Sequence, residues 1–346
     1  MPSLAPPEDL LPWALATLGT PSEHHRIQLE PVAGDASNRR YFRLLLDGCS
    51  YIIAVAPPAT EKNAEFLAVR EMLEGACVTM PTLYGADLQR GYLLLGDLGQ
   101  RMLLPELDDD TVDACYQSAF KVLHQLAAID PADPGWPIYD KALLGEELDR
   151  FPRWFVHSLL GYEMPPAESV VWQAFARLMV DSALAQPRVL VHRDFHSRNL
   201  MPQPDGSLGV IDFQDAVVGP ITYDLVSLLR DCYIRWPASR VEDWACSYHQ
   251  QLCREGLLDG VSREQFLRWF DWMGMQRHIK VLGTFARLSL RDDKQSYLAD
   301  LPLVVAYVEE MLAKYRGSEP AIEAFANWFQ GRLGPMIRQQ TWNSAL

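Results

Sequence analysis

The chain has 346 residues, 49% of them hydrophobic and 22% charged, which excludes an intrinsically disordered protein and suffices for a sizeable core. A formal net charge of −14 excludes an extended nucleic-acid-binding face while leaving room for one local phosphate site. No run approaches the roughly 20 apolar residues that span a bilayer, the start lacks the basic region of a secretory signal, and the six cysteines show neither a CxxC pair nor zinc-like spacing. The expectation is a cytoplasmic protein with reduced, mostly buried thiols, no membrane or nucleic-acid association and no obligate protein partner.

In chain order, Glu8 to Leu18 carries Leu10, Leu11, Ala14, Leu15 and Leu18 on one side of a predicted helix. "IQLEPVA", "RRYFRLLL" and "SYIIAVA" read as strands, the last two joined by an Asp47-Gly48 hairpin turn. "EKNAEFLAVREMLEGA" returns to helical spacing, and "GYLLLGDLG" is one more short strand ending in a flexible connection at Gly96 to Gly99. From Asp109 onward helices dominate, with Val112 to Ala128, Glu146 to Leu160, Ser169 to Ala185 and Tyr223 to Arg235 among them. Within that part, "RVLVH" and "LGVIDF" are brief strands separated by a polar loop and the turn Pro204-Asp205-Gly206. The fold class is therefore α+β, with a small antiparallel-sheet lobe over 1–98 and a larger, mostly helical lobe over 99–346.

The polar loop holds the chemistry. In "VLVHRDFHSRNLM" an apolar run breaks into His192, Arg193, Asp194, His196, Ser197, Arg198 and Asn199, and Asp212 follows in "GVIDFQDA". Two carboxylates and an amide are hard oxygen donors that suit Mg²⁺; one carboxylate could instead accept the proton of an attacking hydroxyl. Taken singly, each is also an ordinary turn residue.

"HRDFHSRN" resembles the HxDxxxxN catalytic loop of kinases, "IDFQDA" the metal-binding segment of the aminoglycoside phosphotransferase and choline kinase group, and "GPITYDLVSLLRD" that group's following segment. The resemblance implies a two-lobed protein-kinase-like fold using ATP and Mg²⁺. It makes Asp194 the catalytic base, His192 a support for the loop, Asn199 and Asp212 the metal ligands, and Asp224 a structural acid. It also puts adenine against backbone near Leu95, Asp97 and Leu98.

The nucleotide side departs from the pattern. "VAGDASNRRYFR" offers one glycine, Gly34, with the small residues Ala36 and Ser37, where the group has a glycine-rich phosphate loop. "SYIIAVAPP" lacks the lysine that pairs the α- and β-phosphates. Arg43 or Lys62 is the expected replacement cation, with Glu65 or Glu71 as its acid. Arg39, Tyr41 and Arg43 share one face of their strand.

For the acceptor, Tyr139, Asp140, Glu146, Glu147, Arg150 and Trp154 lie close together in "PIYDKALLGEELDRFPRWF". Acids and aromatics suit a sugar, since carboxylates accept from hydroxyls and rings stack on apolar sugar faces; a capped amphipathic helix with a core tryptophan fits as well. Tyr139, Asp140 and Glu147, with His196, Arg198 and Asp215 beside the loop and metal segment, are the acceptor-binding candidates. Arg277, Lys280, Arg287, Arg291 and Lys294 form a basic stripe that either meets a substrate anion or is a solvated face paired with Asp292 and Asp293.

These segments, with "LLRDCYIRWP" and "KVLGTFARL", are similar to those of the bacterial N-acetylmuramate/N-acetylglucosamine 1-kinase family of peptidoglycan recycling, over a span from "GDASNRRYFR" to "YLADLPLVVAYV". That resemblance implies transfer of the ATP γ-phosphate to the anomeric hydroxyl of an amino sugar, giving the α-1-phosphate, and relatives with the same uncharged "APP" strand end. The alternatives are an aminoglycoside or other hydroxyl kinase, and a non-catalytic ATP-binding protein.

Overall fold

Alternation along the second strand builds the first layer. Phe42, Leu44 and Leu46 are buried while the residues between them are half-covered, the signature of a strand with one face on a core. The computed structural model describes residues 5–20, 25–32, 39–132 and 135–345. They fall into two compact units, Met1–Ala119 with Arg198–Asp215, and Phe120–Ser197 with Ala216–Leu346.

In the first unit β1 (Ile27–Val32), β2 (Arg40–Leu46), β3 (Cys49–Val55), β4 (Leu83–Asp87) and β5 (Tyr92–Gly96) form one antiparallel sheet in the order β1-β2-β3-β5-β4. Asp47 and Gly48 both have positive φ, 48° and 89°, as a two-residue hairpin turn between right-twisted strands demands. Helix α1 (Leu10–Thr17) lays Leu10 and Ala14 on Phe42, Leu44, Ile53, Val55, Tyr92 and Leu94. Helix α2 (Asn63–Glu74) follows β3. The edge strand β4 escaped sequence reading because Gly85 and a register shift between Leu83 and Gly85 interrupt its alternation.

The same unit contains a hairpin from far along the chain, β7 (Leu200–Pro202) with β8 (Leu208–Val210). It is stitched in by hydrogen bonds from Leu103 N–H to the Leu200 carbonyl and from Val210 N–H to the Thr79 carbonyl, each 2.8 Å. The expected strand "LGVIDF" stops at Val210, since Asp212 sits at φ 65°, outside any extended conformation.

In the second unit β6 (Arg188–Val191) pairs antiparallel with β9 (Val217–Pro220). Around this pair stand α4 (Lys141–Leu148), α5 (Pro166–Leu184), α6 (Tyr223–Leu229), α7 (Ala238–Arg254), α8 (Arg263–Asp292), α9 (Leu301–Lys314), α10 (Pro320–Trp328) and α11 (Gly334–Arg338), while α3 (Val112–Ala127) carries the chain in from the first unit. Two predicted helices are corrected. Glu146 to Leu160 is not continuous: α4 ends at Leu148, and Phe151–Leu159, with Pro152 lacking an N–H for the α ladder, runs on as a π-helix. The helix expected to reach Arg235 ends at Leu229, because the Asp231 carboxylate accepts from Ser197 and Tyr233 N–H groups.

Helix α8 is the axis of this unit. Ser262 caps its start by accepting from Gln265 N–H, and every residue from Phe270 to Gly283 is buried, so it behaves as a core helix rather than an amphipathic one. A Cβ at Gly283 would stand 2.3 Å from the Arg150 carbonyl carbon; only glycine lets α8 come this close to the 150–151 backbone. Beneath lies an aromatic cluster in which Phe175 and Phe325 stack at 3.9 Å between centroids, with Phe151 and Trp172 alongside. All six cysteines are free, but Cys49, Cys77 and Cys253 are exposed, contrary to the expectation of mostly buried thiols. Among the described residues no helix is long and apolar enough to cross a membrane.

Candidate active site

The loop after β6 is held by two buried acids. The backbone N–H groups of His192 and Arg193 donate to the Asp224 carboxylate at 2.5 and 3.0 Å, and the Ser197 N–H and hydroxyl donate to Asp231 at 2.9 and 2.5 Å. Arg193 takes φ 75°, a conformation costly for a non-glycine residue and kept only where surroundings impose it. The Asp194 N–H donates to His192 Nδ1 at 3.2 Å, so that nitrogen is unprotonated and the buried imidazole braces the loop from within. Burial pushes the Asp224 carboxyl up to about 7, against the pull of the two N–H donors. Asp231 went unnoticed in the sequence because "LLRD" reads there as the body of a helix.

Asp194 itself is half-buried. Burial alone would raise its carboxyl, but Lys280, Arg277, His196 and Arg193 outweigh it and hold the group at about 2. Those cations are themselves organised. Lys280 Nζ lies 3.1 Å from Glu147 and donates to the Tyr223 hydroxyl at 2.9 Å. Arg193 also pairs with Glu147, whose other oxygen accepts from Tyr139. Arg277 donates to the Arg193 carbonyl at 3.3 Å. Glu147 is wholly buried, which would raise it, yet Lys280 and Arg193 hold it at about 2.

Thus the structure gathers Tyr139, Glu147, Arg193, Lys280 and Arg277 around Asp194's loop but leaves other sequence candidates apart. Asp140 is exposed and caps α4, accepting from Leu143 N–H at 2.9 Å. Glu146 is exposed, and Trp154 is half-buried beneath the Arg153 guanidinium at 5.3 Å. His196 packs edge-on to Tyr233 at 5.3 Å. The basic stripe divides: Arg277 and Lys280 are buried, whereas Arg291 is exposed and pairs with Asp292 at 2.7 Å, and Lys294 lies past the end of α8.

In the first unit, Leu200 pairs with Val210 and the Ile211 N–H donates to the Asn199 carbonyl at 3.1 Å, so Asn199 and Asp212 flank the open end of one hairpin. Asn199 is buried and Asp212 exposed, one of its oxygens accepting from Gln214 at 2.7 Å. Among the described residues no group of three or more His, Cys, Asp or Glu could hold a metal. One amide and one carboxylate oxygen fit Mg²⁺, which keeps water and substrate oxygens in its shell and rarely takes an all-protein cage. Arg198 is half-buried and Asp215 exposed in this unit.

Of the nucleotide candidates, Gly34, Ala36 and Ser37 lie outside the described residues. Arg43 is engaged by Asp97 through Nε at 2.6 Å and Nη2 at 3.2 Å, and Ser50 donates to the same carboxylate. Burial would raise Asp97, but these bonds lower it. Leu95 is buried opposite Ile52, and the Leu98 carbonyl accepts from Gln203 at 3.2 Å. Lys62, Glu65 and Glu71 are exposed. Arg39, which the sequence places on the face of Tyr41 and Arg43, is buried and meets Glu61 at 3.1 Å, an acid that no sequence pattern singles out.

The family model described as phosphotransferase enzyme family matches residues 28–260. The chain belongs to that family. This phosphotransferase is 44% identical over 286 residues to N-acetylmuramate/N-acetylglucosamine kinase of Pseudomonas putida, the match covering 83% of the chain and 84% of the relative. It is 41% identical to the protein of that name from Pseudomonas aeruginosa, with coverage of 83% and 84%. In fold the phosphotransferase is like choline kinase LicA from Streptococcus pneumoniae (TM-score 0.59, 16% identity, covering 88% and 99%). LicA in complex with AMP matches similarly (TM-score 0.58, 15% identity, covering 88% and 98%).

Proposed function

We propose that the chain transfers the γ-phosphate of ATP to the anomeric hydroxyl of N-acetylmuramate or N-acetylglucosamine, yielding the α-1-phosphate in the cytoplasm, where ATP and recycled wall sugars meet. The observation that carries this reading is 44% identity, over most of both chains, to a relative named as a kinase of these two amino sugars, joined to a loop that offers Asp194 among the cations Lys280, Arg277 and Arg193. Nucleotide binding falls to residues 1–98 and acceptor binding and catalysis to 99–346. Membership of a phosphotransferase family and the AMP complex of LicA support ATP as donor.

Asn199 and Asp212 would hold Mg²⁺. When bound, that ion neutralises charge on the phosphate oxygens. Asp194 orients the attacking hydroxyl and receives its proton. Held at about 2, Asp194 is a weak base, which suits a hemiacetal hydroxyl, more acidic than an ordinary alcohol. Lys280, Arg277 and Arg193 keep Asp194 ionised. Asp224 and Asp231 fix the loop that carries it.

The test is turnover with Mg-ATP and a panel of acceptors: the two amino sugars, the 1-O-methyl glycoside of N-acetylglucosamine, kanamycin and choline. Only the free sugars should turn over. Phosphorylation of the methyl glycoside would refute the anomeric acceptor, and kanamycin or choline as the sole substrate would move the enzyme to another acceptor class.

A further inference from the structure

We propose that Arg39, held by Glu61, is the cation that binds the α- and β-phosphates of the nucleotide, doing from the residue before β2 what a lysine on β3 does in other kinases. The inference rests on the ATP-dependent reading above and assigns a residue to it.

The sheet register gives the position. Arg40 pairs with Val55 at the end of β3, so Arg39 stands one step further, beside the strand end that lacks its lysine. Alternation sets Arg39 with Tyr41 on one face, opposite Phe42 and Leu44, which are spent on the α1 core.

The surroundings of Arg39 match the task. It is 5% exposed, and a buried guanidinium persists only with partners that offset its desolvation. Glu61 lies 3.1 Å from its Nε, and Nη1 donates to Gln214 at 3.2 Å. Its plane covers Phe66 at 5.0 Å, and Phe66 in turn stacks on Phe213 at 5.0 Å. Gln214 donates to Asp212 at 2.7 Å, so a single amide joins the guanidinium to the exposed carboxylate offered to the metal. Phosphate-binding cation, its acid and the metal carboxylate thus converge in one unit. Arg43 is tied by Asp97, Ser50 and Gly99 into a separate knot, and Lys62 is exposed at the start of α2.

The experiment compares the full-length unaltered protein with Arg39→Met, Arg39→Lys and Glu61→Gln, reading MgADP affinity by calorimetry and adenosine affinity by ligand-observed NMR, with thermal melting without ligand as the folding control. Arg39→Met should weaken MgADP about 10- to 100-fold, the loss expected for charge-assisted hydrogen bonds, while adenosine binding stays within about twofold. Arg39→Lys, which keeps the charge without the fork, should lose less, as should Glu61→Gln. Should Arg39→Met fail to fold, the lysine variant carries the same comparison. MgADP bound as tightly by the folded variants as by the unaltered protein would overturn the assignment, and so would equal losses for ADP and adenosine. A protein that binds MgADP through Arg39 yet phosphorylates no amino sugar would sink the acceptor reading and leave this one standing.

Discussion

Lys280 and Glu147 form an ion pair at 3.1 Å inside the helical unit, with residue exposures of only 7% and 0%. Glu147 also pairs with Arg193 and accepts from Tyr139, so one carboxylate neutralises two cations beneath the loop that presents Asp194. Its removal would leave the buried Lys280 and the half-buried Arg193 without their acid.

Glu147→Ala is therefore expected to cost about 3–5 kcal/mol of stability, the range for breaking a buried pair from one side, as read from urea unfolding. A loss below about 1 kcal/mol would show that the pair is not the keystone described.

Lys280→Met should change the pH dependence of turnover. Lys280 is the foremost of the charges that hold Asp194 at about 2 against burial. Without it the Asp194 pKa rises, and the acid-side loss of kcat/KM moves to higher pH. An acid limb that stays where the unaltered protein has it would contradict this.

Asp224 makes stability depend on pH in the opposite sense. Its carboxyl is pushed from an ordinary 3.8 to about 7 by burial, so between those values the folded chain binds more protons than the unfolded one. Its contribution to stability therefore falls as pH rises through that window. Urea midpoints at several pH values should show a slope that Asp224→Asn reduces; an unchanged slope would assign it to other groups.

Asp194→Asn and Asp212→Ala should fail differently. The first should lower kcat about 10²- to 10⁴-fold with MgADP binding unchanged; the second should weaken binding of MgADP more than of ADP alone. Full activity in either variant would remove the role given to that residue.

Much of this was legible in the chain. The sheet declared itself through the Phe42, Leu44, Leu46 alternation and the Asp47-Gly48 turn, because strand period and turn chemistry are local properties. The loop His192 to Asn199 stood out because polar residues crowd directly after an apolar strand. What stayed hidden depends on pairs far apart in sequence. Arg39 meets Gln214 across 175 positions and Arg193 meets Glu147 across 46, and no local pattern distinguishes such cations from solvated ones. The stripe Arg277, Lys280, Arg287, Arg291 was visible as a spacing, but only burial separates the two that frame Asp194 from Arg291 at the surface. Asp231 was masked by good helical spacing that a loop hydrogen bond overrides.

The most direct measurement is the NMR spectrum of the product formed from Mg-ATP and N-acetylmuramate or N-acetylglucosamine. A new anomeric proton split by phosphorus is expected, with the small neighbouring proton coupling of an α-1-phosphate. An anomeric proton left unsplit while phosphorus couples to H3, H4 or H6, or no phosphorylated sugar from an enzyme that binds MgATP, would contradict it.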